Sequence, residues 1–424
     1  MAHGPLFKFN QPQMKTYLVG GAVRDKLLNY PVKEHDWLVV GATVEEMLAQ
    51  GFRQVGKDFP VFLHPKTQEE YALARTERKT APGYHGFTIH AEPEVTIEED
   101  LIRRDLTINA IAEDNNGNLI DPYGGCTDLK KKLLRHVSPS FCEDPVRVLR
   151  VARFYARYAH LGFAVADETK LLMKEMVLAG EVDALVSERV WAEFDKALGE
   201  RSPELFIELL RETGALNRLM PEIDRLFGVP QSIEYHPEVD AGLHTLLVLK
   251  QAVLLSESKE VRFAALVHDL GKGVTPESEW PHHYGHETAG LPILKAFCNR
   301  LRVPNSYRSL AEVVMRYHLN CHRVFELKAS TLVDMLQSLK VLKPNQKERL
   351  NHFLIACLAD VRGRLGKEKS EYPQMDYLNT VYSALLKINS QTLVENGLEG
   401  AAIGRALRQL RIVEAEKIKS QWAE

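Results

Sequence analysis

The sequence predicts an α+β protein: a head with a mixed sheet and short helices over residues 14–139, followed by all-helical regions over 140–235 and 236–424. Three observations carry this prediction. Residues 16–40, TYLVGGAVRDKLLNYPVKEHDWLVV, read as strand, Gly-Gly turn, short helix, loop and second strand. Beyond Glu143 the segments have helical spacing with polar breaks. The residues able to do chemistry fall in two stretches, one ending near Arg157 and one opening near Gly242.

With 424 residues the chain can hold two to four domains. Its composition, 45% hydrophobic and 26% charged, is that of an ordinary globular chain. A net charge of −3 excludes a global basic field, so any RNA contact must come from local patches. The five cysteines form no CxxC pair, which argues against a zinc–thiolate site and for a reducing cytoplasm. No apolar run reaches the ~18 residues of a membrane span. Residues 1–13 lack a signal-peptide pattern and read as a leader or upstream extension before the first strand.

In the head, the first strand is Tyr17–Val19, and Gly20 and Gly21 open a helix carrying Arg24 and Asp25. Glycines at such a turn let the backbone approach a phosphate. Glu34 and Asp36, two apart at the start of the next strand, are expected on one face, where paired carboxylates suit hard divalent cations. Either signal alone reads as a tight turn or a solvated strand end. Further strands are expected at Val61–His64 and Tyr71–Ala74, with Glu69 or Glu70 as a third carboxylate. KTAPGYHG, from Lys79 to Gly86, is turn-rich. A helix is expected over Glu98–Ala112, with Asp105 and Asn109 one turn apart. Asp121-Pro-Tyr-Gly-Gly closes the head as a turn. Lys130, Lys131, Lys132 and Arg135 form a basic run that reads as a solvated face or an RNA-backbone contact.

Asp144 and Pro145 then open a helix carrying Arg147, Arg150, Arg153 and Arg157. These arginines fall within an arc of roughly 120°. With no acid between them they repel one another, unless an anion or a base lies against them. Helices follow at Asp167–Leu178, Glu188–Leu198 and Pro203–Thr213, with a linker expected over PQSIEYHP, residues 230–237. In the last region His268 and Asp269, within HDLGKG, are expected on one helix, with His244 upstream and His283, His286, His318 and Asp360 downstream. An all-N/O donor set suits Mn²⁺, Mg²⁺, Co²⁺ or Ni²⁺.

LVGGAVRD, the acidic pair, RRDLTINA and EDPVR together resemble the class II tRNA nucleotidyltransferases, which are the CCA-adding enzymes and their bacterial poly(A) polymerase relatives. HDLGKG with the surrounding histidines resembles the HD phosphohydrolase superfamily. The resemblance covers essentially residues 14–424 and implies a polymerase-beta-like nucleotidyltransferase head, an all-α neck and body that select the base and bind tRNA, and an all-α HD domain. One departure is Glu34, where the family usually carries Asp.

The resemblance further implies addition of C, C and A to the tRNA 3′ end from CTP and ATP, with Mg²⁺ on Glu34 and Asp36. Gly21, Arg24, Arg104, Arg150 and Arg153 would hold the nucleotide. Asp144 and Arg147 would read the base, since cytosine and adenine share an amino donor beside a ring-nitrogen acceptor. His244, His268, Asp269 and Asp360 would hold a second metal, Ni²⁺ or another divalent transition ion, for hydrolysis of 2′,3′-cyclic phosphates and phosphomonoesters. His268 and Asp269 would be catalytic there, while His283, His286 and His318 would hold phosphate or another ion. A cytoplasmic monomer or homodimer is implied, with no membrane partner. The rival readings are a poly(A) polymerase and a metal phosphohydrolase whose head only binds nucleotide.

Overall fold

The computed structural model describes residues 14–32, 34–55, 60–79, 87–343, 345–395 and 397–422. The leader expectation and most of KTAPGYHG fall outside them. The chain divides into two compact units, one running to Val186 with Glu212–Ala215, the other Ser187–Arg211 with Leu216 onward.

The first unit is built on β1 (Lys15–Val19), β2 (Asp36–Val40), β3 (Arg53–Gln54), β4 (Val61–Leu63) and β5 (Glu70–Leu73). After β6 (Thr76–Lys79) and β7 (Phe87–His90), which pair with each other, β8 (Ala112–Glu113) and β9 (Leu119–Ile120) complete a seven-stranded sheet among the described residues. Its order is β3-β4-β5-β2-β1-β8-β9, and β2–β5 is the parallel pair in it. Leu38 packs in one apolar cluster with Val19, Leu101 and Ala112, and Val39 in another with Met47, Phe62 and Leu73. Consecutive residues point to opposite faces, so β2 is covered on both sides and held firmly in the middle of the sheet.

The short helices of this unit are α1 (Gly21–Leu27), α2 (Val44–Ala49), α3 (Ile97–Ile102) and α4 (Gly125–Lys131). Thr43 and Glu46 form a capping box on α2, satisfying two free N–H groups of its first turn. Asp121 caps α4 through the Gly125 and Cys126 amides, at 2.6 and 2.8 Å. The helix expected over Glu98–Ala112 stops at Ile102. Asp105 takes the Leu106 amide at 2.8 Å and the Asn109 side chain at 2.9 Å, which breaks the helical ladder. Thr107–Asn109 makes one 3₁₀ turn and Ala112 enters the sheet opposite Val19. The unit continues through α5 (Val146–Tyr158) and α6 (Asp167–Leu178), with a short parallel pair, β10 (Leu133–Leu134) and β11 (Ala164–Val165), between α4 and α6.

The second unit is helical. Apart from Glu212 and Ala215, which fall in the first unit, it comprises α7 (Ser187–Leu198), α8 (Pro203–Glu212), α9 (Ala215–Leu219), α10 (Pro221–Asp224), α11 (Ala241–Leu255), α12 (Lys259–Val267), α13 (His286–Arg300) and α14 (Asn305–His322). Then follow α15 (Ala329–Ser338), α16 (Lys347–Arg362), α17 (Gln374–Lys387), α18 (Gln391–Glu395) and α19 (Ala401–Trp422). Small residues Ala252, Ala265 and Ala359, with Val248, let α11, α12 and α16 approach closely. Among the described residues no helix is long and apolar enough to cross a membrane.

Candidate functional sites

In the first unit the Gly-Gly turn is shaped for arginine. Gly20 has φ +66°, and a Cβ there would lie 2.9 Å from Nη1 of Arg104. Gly21 would place one 3.4 Å from Nη2 of Arg24. Two guanidiniums therefore rest directly on the turn, which a side chain at either position would crowd.

Arg104 is aimed by Asp100, a fully buried carboxylate. Its Oδ2 accepts from Arg104 Nη2 at 3.0 Å, and its Oδ1 accepts from Arg103 Nε at 3.1 Å and the Arg75 amide at 3.3 Å. Burial alone would raise the Asp100 pKa, but the two guanidiniums outweigh it and hold the carboxyl below its ordinary value. Asp100 escaped the sequence reading because EED at a helix start looks like first-turn charge.

Asp36 opens β2 opposite Val19, whereas Glu34 precedes the strand. The alternation of a strand therefore does not fix the two acids on one face, as the sequence suggested. Both stay exposed. Partial desolvation raises the Asp36 pKa and Glu34 adds to the rise, while Arg104, His35 and Arg24 oppose it. Such a carboxylate gains from a cation. The strand register separates the candidate third acids. Glu70 pairs with Asp36 across the β2–β5 ladder, while Glu69 is held by Trp37 Nε1 at 3.2 Å and His35 Nδ1 at 3.2 Å.

The arginine stripe of α5 finds its partners elsewhere in the unit. Arg150 Nε donates to Asp105 Oδ2 at 2.7 Å, and Arg157 approaches Asp25 Oδ2 at 3.5 Å. Around Phe154 stand Arg153, Arg24 and Arg150, at 4.4, 5.1 and 5.6 Å from the ring centroid. Asp25 also accepts from Tyr158 OH at 2.7 Å and Arg24 Nε at 2.9 Å, and Arg24 bonds Asn109. The repulsion read from the sequence is thus relieved in part by Asp25, Asp105 and aromatic faces. Arg147 is buried and donates to the carbonyls of Ser140 and Arg103, at 2.7 and 2.6 Å. Asp144 accepts from the Val146 amide at 3.1 Å. In the basic run, Arg135 is engaged by Asp128 and Glu168.

In the second unit His268 and Asp269 do not share a helix. His268 caps α12 and Asp269 begins the 3₁₀ turn Leu270–Val274. Gly271 in that turn lies against α13 so closely that a Cβ would meet the His286 carbonyl oxygen at 1.9 Å. His244 Nε2 is 3.1 Å from Asp360 Oδ1 and 4.0 Å from Asp269 Oδ2. His268 Nε2 is 3.2 Å from Asp269 Oδ2 and 3.8 Å from Asp360 Oδ1. The other Asp269 oxygen faces His286 Nε2 at 3.2 Å and His318 Nε2 at 3.7 Å.

Among the described residues three triplets, His236–Glu238–His244, His244–His268–Asp360 and His268–Asp269–His318, each have ligand atoms within 4.8 Å of one another, and the last two are fully buried. His268 Nε2 and both Asp269 oxygens are buried and lack a well-aligned hydrogen bond, although Lys272 Nζ stands 2.6 Å from Oδ2. Orphaned buried polar atoms on an imidazole and a carboxylate fit a divalent ion. Burial would raise Asp269 and Asp360, but His268 and further cationic neighbours hold both well below the ordinary carboxylate range.

His283 is committed to the fold, with Nδ1 2.5 Å from Thr275 Oγ1 and Nε2 2.8 Å from the Pro230 carbonyl. The structure adds groups the sequence reading passed over. His322 Nε2 lies 2.7 Å from Asp360 Oδ2, and Glu238 Oε1 2.8 Å from His244 Nδ1. His318 and His322, four apart, carried a readable helical signal. Residues 230–237, expected as a linker, feed this cluster: Gln231 accepts from Lys272 at 2.5 Å, and Pro230 anchors His283.

Three family models match the chain: the poly A polymerase head domain over residues 16–135, the probable RNA and SrmB binding site of polymerase A over 162–227, and the HD domain over 242–361. Fold and clusters together define a polymerase-type nucleotidyltransferase head followed by an HD domain. The multifunctional CCA proteins of Thioalkalivibrio sulfidiphilus and Methylococcus capsulatus are each 60% identical over 96% of this chain, covering 100% and 96% of their own lengths. The chain belongs to the multifunctional CCA protein family. Among solved structures, an apo CCA-adding enzyme matches with TM-score 0.64 at 22% identity, over 97% of this chain and 91% of that one. The Thermotoga maritima CCA-adding enzyme complexed with tRNA matches with TM-score 0.60 at 21% identity, over 96% and 92%. These likenesses confirm the fold.

Proposed function

We propose that this chain adds and repairs the 3′-terminal CCA of tRNA, using CTP and ATP and no nucleic-acid template. The observation that carries it is the pair of guanidiniums seated on the Gly20–Gly21 turn beside Asp36, in a chain 60% identical to named CCA proteins. Glu34 and Asp36 hold Mg²⁺, with Glu70 in register as a third acid. Bound there, the ion supplies charge neutralisation for the triphosphate and the attacking 3′-hydroxyl. Arg24 and Arg104 bind phosphate. Arg150 and Arg153, whose guanidiniums stand 5.6 and 4.4 Å from the Phe154 ring centroid, bind the remaining triphosphate or sugar. Asp144 accepts from the amino group of C or A and Arg147 donates to the ring nitrogen, which rejects U and G. Residues 14–139 form the head, 140–235 the neck and body, and 236–424 the HD domain. The protein works in the cytoplasm as a monomer or homodimer.

In the HD domain His244, His268, Asp269 and Asp360 hold a transition ion, Ni²⁺ being suited to imidazole donors. It supplies Lewis-acid polarisation for hydrolysis of 2′,3′-cyclic phosphates and phosphomonoesters, which clears damaged tRNA ends. His286 and His318, on the far oxygen of Asp269, bind the phosphate. The test is incorporation of each labelled nucleotide into tRNA lacking CCA. Ordered uptake of C and then A supports the assignment. Long runs of A indicate a poly(A) polymerase, and no incorporation leaves only a phosphohydrolase.

A further inference from the structure

A cavity of about 450 Å³ opens in the second unit between α13, α14, α16 and the end of α15. Its lining includes Lys295, Arg308, Arg316, Lys340 and Arg349 against one carboxylate, Glu312, a local excess of four positive charges in a chain of net −3. None of the HD-cluster ligands lines it.

The charges are poorly neutralised. Glu312 is taken by Arg308 Nε at 2.7 Å. Arg349 donates to neutral acceptors, the Leu339 carbonyl at 2.7 Å, the Ser309 carbonyl at 3.0 Å and the Ser309 hydroxyl at 3.2 Å. These bonds fix its fork in place, and burial lowers its pKa, so it is held charged at a cost an anion would relieve. Lys295, Arg316 and Lys340 are exposed and make no ion pair among the described residues. Lys340 sits at φ +59°, where glycine or asparagine is more at ease. Leu291, Pro292, Val313 and Tyr317 supply an apolar wall. The volume lies in the range of small-molecule sites. Converging guanidiniums and ammoniums with little acid recognise clustered phosphates.

We propose that this cavity is a binding site for a clustered-phosphate anion, distinct from the HD cluster. A free polyphosphate, such as that of a nucleotide, or a run of RNA backbone phosphates presents this chemistry. The placement does not depend on the function assigned to either centre. Arg308, Glu312 and Arg316 recur every four residues along one face of α14, while His318 and His322 of the same helix serve the HD cluster.

The test is amine acylation of the full-length protein, read by mass spectrometry, with tripolyphosphate, orthophosphate at equal ionic strength, or tRNA as probe. The exposed Lys387 serves as reference. Saturable protection of Lys295 and Lys340 by tripolyphosphate supports the site with a small anion as its ligand, and Arg316→Ala is then expected to weaken it about tenfold. Protection by tRNA alone, equally sensitive to Arg316→Ala, supports it with RNA phosphate as the source. Equal protection by orthophosphate means charge screening and overturns it. No protection beyond that of Lys387 from any probe also overturns it. Arg316 is on the surface, so an unchanged far-UV circular dichroism spectrum and thermal melting curve serve as the check that the variant folds.

Discussion

Replacing Asp100 by Asn tests how the head aims Arg104. The carboxylate is fully buried, and the side chains of Arg103 and Arg104 that it holds are 15% and 20% exposed. Charge-assisted hydrogen bonds contribute about 1.5–3 kcal/mol each, and stranding a buried partner costs about 3–5 kcal/mol. Asn retains one acceptor oxygen, and both guanidiniums keep some water, so the expected loss is about 2–3 kcal/mol. Local stability is best read by hydrogen exchange, because a chain of two units need not unfold in one step. Amides of α3 and β2 should exchange about 30- to 150-fold faster. KM for both CTP and ATP should rise about tenfold, since Arg104 is no longer held on the Gly20 turn. The folded-state pKa of Asp100 is depressed, so its contribution is present above its unfolded value and is lost as pH falls through the lower folded value. The gap between wild type and variant should therefore be full at pH 7 and close only in strong acid. Exchange within about twofold of wild type, with nucleotide KM unchanged, would refute the clamp.

Asp36→Ala should abolish incorporation of both CTP and ATP in a folded protein; residual activity within about tenfold, under 1.4 kcal/mol, would place the metal site elsewhere. Glu70→Gln should cut incorporation at least about tenfold and Glu69→Gln should spare it, because only Glu70 lies in register with Asp36; equal effects would dismiss the register argument. Asp144→Ala should relax discrimination against UTP and GTP more than it weakens triphosphate binding, with the reverse for Arg153→Ala; uniform loss for all four nucleotides would leave Asp144 as a helix cap. His268→Ala should remove 2′,3′-cyclic phosphodiesterase activity measured with Ni²⁺ while leaving CTP incorporation with Mg²⁺ intact. Loss of both activities would argue for one composite site, and retention of both would make HDLGKG structural.

The α+β class was readable because β1 and β2 flank a glycine turn and the later helices keep their period. Asp167–Leu178 is a helix with those bounds. The segment after Ile102 was not readable, because RRDLTINA has helical spacing but spends its polar groups on side-chain caps. Periodicity records which face is apolar and is blind to a carboxylate that competes for an amide. The partners of the arginine stripe were hidden for another reason. Asp105 and Asp25 lie far from α5 in sequence, and only the folded unit brings Asp105 to Arg150 and Asp25 to Arg157. In the HD cluster His244, His268, His286, His318 and Asp360 stood out by residue type, whereas His322 did not and Glu238 lies just past a stretch that reads as a linker.

The segment from Pro230 to Glu238 also determines where the HD module can be cut. Pro230 anchors His283, Gln231 holds the ammonium of Lys272 and Glu238 orients His244, yet all three precede the HD family match at residue 242. A fragment trimmed to the family boundary would keep its ligands and lose the groups that orient them. Excision, fusion or transplantation of this module has to start upstream of Pro230, and the recognisable motif is smaller than the unit that can be inherited or engineered whole.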